Sequence, residues 1–145
     1  KGEVKNTYST TIRTSFIGPE IKTKKSLLNW FLNQRKIVNG YNNAFFSGLT
    51  SLELSKIIFK YFIVKKNFYN KIINVSGDRI SKYHLLRFIS KVFKKKIILV
   101  KFPSFKIDRS LDSRKFKRNS KYKKKSWLKM IKELRFFMIK HSYKF

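Results

Sequence analysis

The sequence predicts an α/β fold with parallel strand pairing. Four helical stretches alternate with short β-like runs, and 42% of the 145 residues are apolar and 17% aromatic. That composition is far above what a disordered chain carries, and the length suffices for one modest core. Strands that alternate with helices of roughly ten to fifteen residues are joined by crossovers, which favours parallel neighbours.

Each helical stretch opens with a hydroxyl residue able to cap free backbone N–H groups. The first follows Ser26 and carries Leu27, Leu28, Phe31 and Leu32 on one face. The second follows Thr50, with Glu53 at the spacing of a capping box and an apolar stripe of Leu54, Ile57, Ile58, Tyr61 and Phe62. The third follows Ser81, with Leu85, Leu86, Ile89, Val92 and Phe93 facing inward, and with Ile80 and Leu85 spaced as a hydrophobic staple around the cap. The fourth follows Ser126 and places Trp127, Ile131, Leu134 and Met138 on one side. All of these apolar positions are expected in the core.

Residues 10–16, 44–46, 71–75 and 97–102 read as strands. The third run ends at Ser76-Gly77, a turn signal before the third helix. Residues 114–125 are almost wholly basic or polar, with only Phe116 and Tyr122 bulky. This stretch is expected to be a solvated loop between packed elements, with a phosphate-binding arm as the alternative.

The net charge is +29, and only seven residues are acidic. Clustered Lys and Arg favour polyphosphate partners through counterion release. The excess is mostly lysine, however, and it comes with many Asn, Ile, Phe and Tyr and a single alanine, Ala44. An A/T-rich coding bias produces the same skew, so the charge by itself leaves both readings open. There is no cysteine, which excludes disulfides and Cys-ligated zinc and fits a reducing, cytoplasmic setting. No apolar run is long enough to cross a bilayer.

Catalytic constellations are missing. His84 and His141 are far apart and have no metal-ligand spacing, and His84 reads as a capping or surface residue in a first helical turn. No nucleophile elbow, P-loop or dinucleotide-binding glycine motif occurs, and the acids are scattered. No catalytic and no metal-binding residue is therefore assigned.

The segment Thr11-Ile12-Arg13-Thr14-Ser15-Phe16-Ile17-Gly18-Pro19-Glu20 is a strand running into a Gly-Pro turn. It resembles the strand that follows the catalytic Tyr-x-x-x-Lys in extended short-chain dehydrogenases/reductases that act on nucleotide sugars. Gly2-Glu3 is similar to the Gly-Glu pair that follows the family's catalytic lysine. The likeness continues in order through the helix after Ser26, the stretch from Asn39-Gly40 to Thr50, the helix from Leu52, the strand ending Asn74-Val75-Ser76-Gly77, the segment Ile107-Asp108-Arg109-Ser110-Leu111-Asp112-Ser113, and Ser126-Trp127.

The resemblance implies the carboxy-terminal portion of a Rossmann-type enzyme: its last parallel strands and a small mixed α/β substrate-binding subdomain, spanning residues 1–145. The catalytic tyrosine and lysine would then lie upstream of Lys1, and the chain alone would be inactive. NAD or NADP would be held mainly by the amino-terminal part, with Thr14 and Ser15 beside the nicotinamide. Phe16 would face the sugar, and Arg109 would bind the diphosphate of a nucleotide-sugar substrate. Phe16 as a core aromatic, Arg13 as a structural ion-pair residue, and Arg109 paired with Asp108 or Asp112 are the plainer alternatives. A homodimer is compatible with the family, and no membrane partner is expected. The basic, proline-poor residues 119–125 depart from the family. A basic, ribosome-associated nucleic-acid-binding domain is the competing function. Lysines interleaved with aromatics suit it, although no recognised nucleic-acid motif is present.

Overall fold

The computed structural model describes residues 9–20, 25–66, 68 and 71–143. The Gly2-Glu3 pair lies outside the described residues. In chain order the elements are β1 (Thr11–Arg13), β2 (Phe16–Ile17), α1 (Leu27–Asn33), β3 (Ile37–Tyr41), β4 (Ala44–Phe46), β5 (Leu49–Thr50) and α2 (Ser51–Ile57), which runs on as a π-helical segment (Ile58–Val64). These are followed by β6 (Ile72–Asn74), β7 (Ile80–Ser81), α3 (Lys82–Phe93), β8 (Ile98–Phe102), β9 (Ile107–Arg109), α4 (Arg114–Ser120) and α5 (Trp127–Lys140).

The four caps form where the hydroxyls stand. Ser26, Thr50, Ser81 and Ser126 each accept a hydrogen bond from the backbone N–H three residues on, at Asn29, Glu53, His84 and Lys129. One such cap contributes about 1 kcal/mol. His84 is exposed, and its Nδ1 lies 2.8 Å from the Ser81 hydroxyl. The apolar stripes face inward: Leu28, Phe31, Leu54, Ile57, Leu85, Ile89, Ile131 and Leu134 are all buried in one cluster. Ile80 and Leu85, the staple pair, are buried in it too.

Pairing is mostly parallel. β1 lies beside β6, β2 beside β5, β3 beside β8 and β4 beside β9, all parallel, while β7 joins β4 antiparallel. The result is a mixed α/β fold. β3 has no counterpart among the expected strands, and Gly40 sits inside it. Gly40 is instead required by a close approach: a Cβ there would lie 2.8 Å from Cδ2 and 3.1 Å from Cα of Tyr83.

Residues 114–125 correct the expectation of a loop, since 114–120 form α4. Two anchors suffice to fold this polar stretch. Phe116 is fully buried, and the buried Ser120 hydroxyl donates to its carbonyl at 2.7 Å. Around the Phe116 ring stand Tyr61, Phe62, Phe68 and Tyr122, with centroids 5.5 to 6.1 Å away. The basic residues Arg114, Lys115 and Arg118 lie on the exposed side.

Glu53 has the capping-box spacing but a different task. It is 3% exposed, and its carboxylate accepts from the Tyr122 hydroxyl at 2.9 Å and from Lys125 Nζ at 2.7 Å. Lys125 also reaches Glu133 at 2.8 Å, and Glu133 binds Lys56 at 3.1 Å. Burial, and after it the Glu53 carboxylate, push the Tyr122 hydroxyl far above the usual phenolic range, so it stays protonated as a donor.

Candidate functional site

The carboxyl ends of the parallel pair β4 and β9 and the amino ends of the parallel pair β2 and β5 meet around residues 46–49. On one side, the Leu49 N–H donates to the Ser15 carbonyl at 3.0 Å, and Phe16 pairs with Leu49. Also at this segment, the Gly77 N–H donates to the Ser47 carbonyl at 2.9 Å. The backbones are so close that side chains cannot fit between them. A Cβ on Gly48 would lie 2.7 Å from the Ser15 carbonyl oxygen, and one on Gly77 would lie 2.7 Å from the Gly48 carbonyl oxygen.

A buried set of hydroxyls fastens residues 110–113 onto this junction. Ser47 Oγ accepts from the Leu111 N–H at 2.7 Å. Ser76 Oγ donates to the Leu111 carbonyl at 2.9 Å and lies 2.9 Å from Ser113 Oγ. Ser47, Ser76 and Ser113 fall within segments that carry the resemblance, but the sequence gives them no role in joining these segments.

Arg109 ends β9, where it pairs with Phe46 of β4, and it is exposed. The acids offered as its partners are engaged elsewhere. Asp108 pairs with Arg79 at 2.8 Å and accepts from the Ser110 N–H at 2.9 Å, while Asp112 pairs with Arg114 at 2.7 Å. Ser110, through its side chain and backbone N–H, and then Arg79 hold the Asp108 carboxyl down at about 2. Arg79 in turn lies over the Phe45 ring, 3.5 Å from its centroid. The backbone that carries Arg109 is thus fixed on both sides, and among the described residues its guanidinium has no carboxylate partner.

Phe16 is 61% exposed, so it is not a core aromatic. Thr14 and Ser15 are half-buried at the break between β1 and β2. The Ser15 carbonyl is taken by Leu49, and the Thr14 hydroxyl makes only a 3.4 Å contact with that same carbonyl. Both hydroxyls thus stand at this break with the geometry to hydrogen-bond a polar group. Arg13 is exposed, and its carbonyl accepts from the Val75 N–H at 2.9 Å.

One Tyr-x-x-x-Lys spacing does occur within the chain, at Tyr61 and Lys65. It follows α2, not the helix before β1 where the resemblance places the catalytic pair. Tyr61 is buried, with its ring edge-on to Phe116 and Tyr122, and the cleft it borders lies beside α2, away from the break between β1 and β2. Among the described residues no helix is long and apolar enough to cross a membrane.

No family model matches the chain, and no curated protein sequence matches it. Solved structures do. The mixed α/β fold matches about half of each of several solved nucleotide-sugar reductases, dehydratases and epimerases. A dTDP-4-dehydrorhamnose reductase from Bacillus anthracis, in complex with NADP, superimposes with a TM-score of 0.73 at 15% identity, over 91% of this chain and 49% of that one. The corresponding values for an orthologous dTDP-4-dehydrorhamnose reductase from Clostridium acetobutylicum are 0.74, 11%, 90% and 49%. A UDP-N-acetylglucosamine 4-epimerase from Methanobrevibacter ruminantium, in complex with UDP-N-acetylmuramic acid, gives 0.66, 16%, 92% and 47%. The chain spans about half the length of these structures.

Proposed function

We propose that this chain is the substrate-side portion of an NAD(P)-dependent enzyme acting on a nucleotide sugar, and that by itself it catalyses no reaction. The observation that carries the reading is the junction at residues 46–49. It brings the Thr14–Ser15 break and the start of β2 at Phe16 beside the carboxyl ends of the parallel pair β4 and β9, where Arg109 stands and where open α/β folds place their ligands.

In this reading the Thr14 and Ser15 hydroxyls hydrogen-bond the nicotinamide carboxamide and fix the ring's orientation. The cofactor, when bound, supplies or accepts the hydride. Phe16 lays an exposed ring against the sugar and keeps water from that side. Arg109, without a carboxylate partner, offers a planar fork to the diphosphate.

A titration with dTDP and with UDP, at fixed salt, tests this assignment. Saturable binding is expected, and Arg109→Ala is expected to weaken it by about tenfold, the effect of losing one charge-assisted contact. Arg118→Ala, on the exposed side of α4, is expected to leave affinity unchanged. Equal affinities for the unaltered chain and Arg109→Ala would remove Arg109 from the site.

A further inference from the structure

Away from the junction, one concavity concentrates positive charge. It lies between α2 with its π-helical continuation and the residues joining α4 to α5. The cleft has a volume of about 440 Å³, and Lys56, Lys60, Lys121, Lys123 and Lys125 line it. The π register, closed by the Lys65 N–H donating to the Lys60 carbonyl at 3.2 Å, turns Lys60 and Tyr61 toward the same cleft as Lys56 and Glu53.

The five ammonium groups fall into two sets. Lys125 and Lys56 are held in place by Glu53 and Glu133, so they form a fixed wall. Lys60, Lys121 and Lys123 have no carboxylate partner among the described residues. Two carboxylates thus face five cations, and the surplus surrounds a concave space. A wall already ordered by its own ion pairs loses little conformational freedom when an anion enters. Lysine is also a common point-charge ligand for phosphate.

The aromatic residues show which kind of phosphate fits. The Tyr61 ring is buried edge-on against Phe116 and Tyr122, and the Tyr122 hydroxyl is engaged by Glu53. A single-stranded nucleic acid needs open ring faces on which bases stack, and this cleft offers none. We infer that the cleft binds a compact polyvalent phosphate of the diphosphate class, through Lys60, Lys121 and Lys123. Arg109 on β9 does not line it, so affinity lost through Lys60 and Lys123 and affinity lost through Arg109 tell this site from the proposed nucleotide-sugar site.

Calorimetric titration of the chain with inorganic pyrophosphate tests the inference, in roughly 0.15 M salt so that diffuse attraction is screened beyond about 8 Å. Saturable binding is expected. The double variant Lys60→Gln/Lys123→Gln should weaken it by about tenfold or more, and Lys91→Gln/Lys132→Gln, on α3 and α5, by less than about twofold. In a background carrying Arg109→Ala, which removes the proposed diphosphate contact on β9, the weakening by Lys60→Gln/Lys123→Gln should persist. Unsaturable binding, or equal weakening by the two lysine pairs, would mean diffuse charge and overturn the inference. So would an oligothymidylate that binds through Lys60 and Lys123 where pyrophosphate does not.

Discussion

Replacing Phe116 with alanine is expected to destabilise the chain by about 3–5 kcal/mol, the usual cost of emptying a buried aromatic site. The ring is fully buried and meets four other rings, from the π-helical segment, from Phe68 and from Tyr122. It is also the largest side chain that α4 places in the core, so its loss should release that helix. Urea unfolding followed by far-ultraviolet circular dichroism reads both effects. Phe116→Leu keeps most of the volume and should cost much less. A loss below about 1 kcal/mol for Phe116→Ala would mean that α4 is not anchored by this ring.

Glu53→Ala should cost about 3 kcal/mol, because it leaves Lys125 and the Tyr122 hydroxyl without their shared acceptor. The backbone cap is untouched, since Thr50 accepts from the Glu53 N–H and not from its side chain. Burial opposes the charge on Lys125, but Glu133 and Glu53 outweigh it and hold the ammonium above its usual range. Glu133 remains in the variant, and Lys125 is about a quarter exposed, which keeps the cost at the low end for a broken buried pair. Lys56→Ala breaks only a more exposed link to Glu133 and should cost less than about 1 kcal/mol. A double variant Glu53→Leu/Lys125→Met should recover part of the Glu53→Ala loss, as apolar replacements of buried pairs do. Equal losses for Glu53→Ala and Lys56→Ala would show that water already solvates the network.

The elements legible in the sequence are those fixed by nearby residues. The four caps act over three positions, so Ser26, Thr50, Ser81 and Ser126 announce their helices directly. The apolar stripes of α2 and α3 are visible for the same reason. What depends on distant partners is not. Glu53 shows its capping spacing, but its carboxylate is claimed by Tyr122, 69 residues away. The need for Gly40 is hidden locally, because Tyr83, the residue that demands the glycine, lies more than forty positions later. Residues 114–120 look like a solvated run because two buried side chains count for little in a tally of seven.

The candidate site was legible only through resemblance. Thr14, Ser15, Phe16 and Arg109 carry no motif, and spacing alone connects none of them. The fold places both of their strands against residues 46–49, and it adds the Ser47, Ser76 and Ser113 hydroxyls that hold residues 110–113 in position. Those contacts run between segments far apart in the chain, and no local pattern signals them.

The most direct test of the central claim is to read the coding sequence upstream of Lys1. The account predicts a Tyr-x-x-x-Lys ending a few residues before Lys1, and further upstream a Gly-rich turn opening a helix after a strand. A start codon immediately before Lys1 would contradict it, because the half of the cleft that holds the cofactor would then have no source in this chain.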